Sequence, residues 1–151
     1  MLIYAKQPIN YIIKNHPERI KTLYLAKDLD KKDYNRIMKM NFEVKRIPPE
    51  AAGKMCKNAS HQGILAEVSD FKLHDYQSFL GREFVLALSG LTDIGNIGAI
   101  VRTAYALGVD AIIVCGVRTL PFEAILRTST GALYDMPFAL ETNVHNVMND
   151  L

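Results

Sequence analysis

The sequence predicts an α/β protein in two parts, a small basic unit followed by a unit built on a parallel sheet. Three observations carry this expectation. Short apolar runs alternate with helical periods along all 151 residues. The charge is divided: residues 1–70 hold thirteen Lys/Arg against eight Asp/Glu, a formal +5, and residues 71–151 hold five against eight, a formal −3. Between the halves, "DFKLHDYQSFLGRE" (residues 70–83) is polar with scattered aromatics and has no firm period. It reads as a linker over 71–83 with one helical turn.

Each element follows from its local pattern. In "QPINYIIKN", Ile9, Ile12 and Ile13 recur at helical spacing until His16-Pro17 stops the helix. Ile20 to Ala26 reads as a strand with Leu23 and Leu25 on one face. Asp30 is a cap for "KKDYNRIMKM", whose apolar residues are Tyr34, Ile37 and Met38. "FEVKRI" alternates imperfectly up to Pro48-Pro49, "EAAGKMCKN" is a short helix, and Gly63 to Phe71 is a further strand. From Phe84 the alternation restarts. The strands are "FVLALS", "DAIIVCG" and "MPFALE"; the helices are 96–107, Glu123 to Thr130, and "NVHNVMNDL". Regular helices between apolar strands imply parallel pairing with right-handed crossovers. Three such units bury little, so the second domain, 84–151, is expected to be the N-terminal part of a larger one.

Composition excludes several classes. A hydrophobic content of 49% with 23% charged residues is that of a globular chain. No apolar run approaches the roughly 20 residues of a membrane span, and the N-terminus lacks a signal-peptide core. Cys56 and Cys115 have no metal-ligand spacing, so free thiols, no metal and a reducing, cytoplasmic compartment are expected. A basic first half suits a polyanionic partner, though a solvated lysine-rich surface explains a +5 imbalance equally well.

The chemistry concentrates in "LSGLTDIGNIGAIVRTAYALGVDAIIV", Leu88 to Val114. Glycines at 90, 95 and 98 follow a strand and open a helix, as in a dinucleotide cradle. The first spacing is wrong for G-x-G-x-x-G, the next strand ends without an acidic residue, and there is no phosphate-loop lysine motif. A nucleotide-binding enzyme of that type is therefore the third-ranked reading. On the expected helix Asn96 is a cap, and Ile97, Ile100, Val101 and Ala104 form the buried stripe. Arg102 lies about 140° around from Ile97, off that stripe. Asp93, Asn96 and Arg102 could gather at the carboxyl end of the first strand, with small residues at 98–99 leaving room for a ligand backbone. The plain alternative makes Asp93 a turn former and Arg102 a solvated arginine.

The same stretch resembles motif 1 of the SpoU-like (TrmH-type) RNA ribose 2′-O-methyltransferases of the knotted SPOUT class. Asp93, Asn96, Gly98, Ala99, Arg102, Thr103, Ala104, Ala106 and Gly108 match, and Ile94 stands where a proline is usual. "NASHQGILAEV" (Asn58 to Val68) resembles the segment closing that family's N-terminal substrate-binding domain. "TSTGALYDMPFA" (Thr128 to Ala139) resembles its S-x-G-A-x-x-x-x-P segment. The resemblance implies a substrate-binding domain over 1–70 and the first part of a knotted methyltransferase domain, with motifs 2 and 3 lying beyond Leu151.

It further implies S-adenosylmethionine as cofactor, RNA (above all ribosomal RNA) as partner, and a homodimer in the full-length form. Arg102 would orient the ribose or phosphate and stabilise the forming alkoxide, and Asn96 would fix the loop or the arginine. Asp93 is a substrate contact or the alternative base, and Lys6, Arg46, Lys54 and Lys57 are candidate phosphate contacts. His61 is expected to be a structural hydrogen-bonding residue. The resemblance assigns no cofactor-binding residue. A non-catalytic RNA-binding module, or an inactive fragment of the same family, is the second reading; the target nucleotide has no sequence signature.

Overall fold

The structure, a computed structural model, describes residues 1–151 and divides into two compact units, Met1–Asp70 and Phe71–Leu151. The first runs β1 (Leu2–Tyr4), α1 (Lys6–Asn15), β2 (Ile20–Leu25), α2 (Lys31–Ile37), β3 (Glu43–Arg46), α3 (Pro49–Met55) and β4 (Ile64–Val68). Its sheet has the order β1-β4-β2-β3. β4 pairs antiparallel with β1 and β2, and β2 pairs parallel with β3.

Helix α1 buries Pro8, Ile9, Ile12 and Ile13. As expected, Leu23 and Leu25 share a buried face of β2, and the Asp30 carboxylate accepts the Asp33 N–H at 2.8 Å to cap α2. Met38 departs from expectation. The helix closes at Ile37, so Met38 becomes its C-cap residue and stays 53% exposed. Strand β4 ends at Val68 rather than Phe71. The three-residue β1 is too short to show a period and is absent from the sequence reading. Between α3 and β4 the chain bends through Lys57, Asn58, Gln62 and Gly63, all with left-handed φ of 52–83°.

The second unit runs β5 (Val85–Ser89), α4 (Ile94–Ala106), β6 (Ala111–Cys115), α5 (Phe122–Thr128), β7 (Phe138–Glu141) and α6 (Val144–Asp150). The strands are all parallel, in the order β5-β6-β7. Every residue of β6 is buried, as a central strand with both faces covered should be. One face of the sheet carries Ala111, Ile113, Cys115 and Ala139, packed on Tyr76, Phe79 and Val147. On the other, Phe138 meets Phe122 of α5 edge-on at 6.1 Å. Residues 71–83 are therefore no free linker. A 3-10 turn at Tyr76–Phe79 places both aromatics in the core, with Phe79 fully buried. β5 is an outer strand on which Ala87 and Ser89 are exposed.

Candidate functional site

Strand β5 delivers the chain to Gly90, whose φ of +72° turns it toward α4. The cap of α4 is Asp93, not Asn96: the Asp93 Oδ1 accepts the Asn96 N–H at 2.7 Å, and the helix begins at Ile94. Two residues earlier than expected, this start satisfies an orphan amide donor and gives the Asp93 carboxylate a structural task. The buried face of α4 is Ile97, Gly98, Val101 and Ala104.

Gly98 does not leave space for a ligand backbone, as its small size suggested. A β-carbon there would lie 2.6 Å from Thr128 Cβ and closer still to Thr128 Oγ1. The glycine exists so that α4 can sit directly on the end of α5. Thr128 Oγ1 donates to the Ala124 carbonyl at 2.9 Å. Fully buried Ser129 accepts from the Leu133 N–H at 3.3 Å through its own hydroxyl. Two stretches widely separated in sequence, 93–108 and 128–139, thus meet at one helix crossing. The spacing of neither stretch alone signals this contact.

Arg102 is exposed on α4 and makes no hydrogen bond or ion pair. On one side it is flanked by Gly95, Ala99 and Ala106, exposed residues with no side chain beyond a methyl, and on the other by the exposed Tyr105. Asn96 is exposed on a different stripe, about 120° around the helix and about 9 Å along it from Arg102. No hydrogen bond joins them, so α4 separates the pair that the sequence reading grouped. Arg118, which that reading missed, stands exposed on the loop after β6. That loop leaves the same carboxyl end of the sheet as residues 90–93, the edge where open α/β sheets place ligands. It too is free of ion pairs.

Beside Asn96 lies a groove of about 570 Å³, lined mainly by Phe84, Leu86, Leu91, Ile100, Leu107 and Val109. Its polar side chains are Asn96 and Thr103, and the Thr103 hydroxyl already donates to the Ala99 carbonyl at 2.9 Å. S-adenosylmethionine carries a carboxylate, an ammonium, a sulfonium, a ribose diol and an adenine. One uncommitted amide cannot meet those groups, so this groove does not fit that cofactor.

The basic residues proposed for the first unit separate into two kinds. Arg46 is held by Asp28 at 2.6 Å and lies over the Tyr34 ring; Asp28 raises its already high pKa by hydrogen bonding and by charge. Lys54 pairs with Glu50 one turn back at 2.9 Å. Lys6 and Lys57 are exposed without an ion pair. His61 is a hydrogen-bonding residue as expected: its Nδ1 accepts the Gly63 N–H at 3.0 Å.

A basic unit on a mixed sheet, followed by a unit on a parallel sheet whose helix α4 bears an exposed arginine without an ion-pair partner, defines the class: a two-unit α/β protein. Residues 2–73 match the RNA 2′-O ribose methyltransferase substrate-binding family, and residues 83–151 match the SpoU rRNA methylase family. The first unit of the chain thus carries a substrate-binding domain of this kind and the second a SpoU methylase domain.

It is 29% identical over 99% of its length to the 23S rRNA (guanosine-2′-O-)-methyltransferase RlmB of Haemophilus ducreyi, covering 65% of that protein. A Staphylococcus aureus protein assigned to the TrmH family of tRNA/rRNA methyltransferases is 32% identical over 93% of this chain, which covers 60% of it. The chain therefore spans rather less than two thirds of these relatives. The structure matches the SpoU methyltransferase AviRb of Streptomyces viridochromogenes, solved with AdoMet, at a TM-score of 0.76 and 23% identity, over 99% of this chain and 58% of that one. An AdoMet-bound rRNA methyltransferase from Sinorhizobium meliloti matches at 0.70 and 20%, over 98% and 56%. These likenesses establish the fold.

Proposed function

We propose that this chain is the RNA-presenting and arginine-bearing part of an S-adenosylmethionine-dependent RNA ribose 2′-O-methyltransferase acting on ribosomal RNA. The observation that carries the reading is Arg102: an unpaired, exposed arginine on α4, with residues on one side of it small enough for a sugar-phosphate backbone to approach. Arginine side chains stay protonated in proteins. Arg102 is therefore no base; it binds the phosphate or ribose and stabilises charge forming on the 2′-oxygen. Asp93 holds the helix start from which Arg102 is presented, and Asn96 faces the apolar groove. The methyl donor is S-adenosylmethionine, and the apolar groove beside α4 is not its site.

The reading extends to a homodimer in the cytoplasm. The open edge of β5 and the apolar groove beside it support association. Two buried free thiols support a reducing compartment.

The test is transfer of labelled methyl groups to ribosomal RNA by this chain joined to the segment by which its relatives are longer. Activity that is lost in Arg102→Ala, with RNA affinity kept, bears out the assignment. Equal loss of affinity and transfer would reduce Arg102 to an anchor. The second reading, a non-catalytic RNA-binding module, draws on the absence of cofactor-matching groups in the groove. Salt-sensitive RNA binding by the joined chain without any methyl transfer would favour it.

A further inference from the structure

We infer that the groove of about 700 Å³ between the start of α1, the turn after β2, the start of α3 and residues 59–63 is the site that grips the RNA phosphate backbone, with Lys6 and Lys27 as its cations. The inference rests on the RNA reading and supplies it with a location. Lys27, Ser60, His61 and Gln62 line this groove together with Lys6.

Three consecutive residues organise it. His61 accepts the Gly63 N–H at Nδ1, so the ring proton resides on Nε2 as a donor. Gln62 accepts the Lys6 N–H at its Oε1 at 2.9 Å, which leaves its NH₂ free to donate. That contact also serves α1, whose N-cap residue Ala5 offers no side-chain acceptor. Gly63 seats Lys27: a β-carbon there would stand 2.7–2.9 Å from the Lys27 Cβ, Cγ and Cδ. The lysine stem thus lies across the glycine. Its φ of +83° separately favours glycine at that position.

The groove is thereby left with donors. The ring acceptor of His61 and the amide acceptor of Gln62 are engaged internally. An N–H, an NH₂, the Ser60 hydroxyl and two ammonium groups remain uncommitted, a set that matches the acceptor-only oxygens of a phosphodiester. Neither Lys6 nor Lys27 has a carboxylate partner, whereas Lys45, Arg46 and Lys54 in the same unit do, at 3.1, 2.6 and 2.9 Å. The phosphate contacts proposed at Arg46 and Lys54 thus give way to Lys27 in this assignment.

The experiment is a salt series of binding by the 151-residue chain to a fluorescein-labelled ribosomal RNA hairpin, read by anisotropy. The Lys6→Ala/Lys27→Ala variant is compared with Lys31→Ala/Lys32→Ala, which removes the same charge outside the groove, and thermal melting verifies that both fold. The groove variant should weaken binding on the order of tenfold and flatten the slope of log K against log salt by about 2, equally for unrelated hairpins. The control should lose much less. Equal losses in the two variants, or none in the groove variant, overturn the site while leaving the RNA reading in place. An unaltered chain that binds no RNA overturns both.

Discussion

At the scale of single residues, Gly98 is the clearest case of a side chain chosen for what it omits. Gly98→Ala pushes a methyl into Thr128 and the Ser129 backbone; the clash reaches the Thr128 Cβ, which no rotamer change can move, and Ser129 is fully buried. The expected loss is roughly 1–3 kcal/mol, read as a lower denaturant midpoint with an unchanged slope. A neutral result would mean that α4 can slide on α5. Asp93 and Arg102 show how far residue-scale reading reaches. An arginine off the buried stripe was legible from helical angles alone. That Asp93 rather than Asn96 caps the helix was not, because Asp and Asn are nearly equivalent at that position and either start satisfies the apolar period.

At the scale of elements, most boundaries were legible wherever a period ran for several residues, as in α1 and the three strands of the second unit. The failures have physical causes. β1 is three residues long, and Met38 fell on a helical stripe that ended one residue earlier. The stretch 71–83 looked like a linker because two aromatics in a 3-10 turn have neither the helical nor the strand period. That turn is tied to α6 by the Tyr76 hydroxyl, which donates to Asp150 Oδ2 at 2.8 Å. The hydrogen bond, then burial, raises the Tyr76 pKa above the ordinary 10.0. Since the folded value is the higher one, the protonated phenol contributes stability that is complete below pH 10 and fades as pH rises through the folded value. Urea midpoints collected between pH 8 and 12 should fall on the alkaline side, and Tyr76→Phe should flatten that fall. Identical slopes in the two proteins would show that Asp150 does not hold the phenol in solution.

At the scale of the whole molecule, the two units differ in charge and in the character of their grooves. The first has a groove left with uncommitted donors; the second has an arginine-bearing helix beside a groove too apolar for S-adenosylmethionine. Titrating the 151-residue chain calorimetrically with S-adenosylmethionine should give no heat of binding while the protein is folded. Stoichiometric heat would show that another part of the chain holds the cofactor. The charge division was legible from sequence, but which cations remained free was not, because pairing depends on where the turn after β2, β3 and α3 place Asp28, Glu43 and Glu50. The bent path of residues 57–63 has one more consequence. Its left-handed turns at Lys57, Asn58, Gln62 and Gly63 are already made when the unit folds, so the ordering entropy falls on folding rather than on docking. RNA would meet a rigid receptor. Its capture should then have the small heat-capacity change of lock-and-key association, not the large one of a segment that folds around its partner.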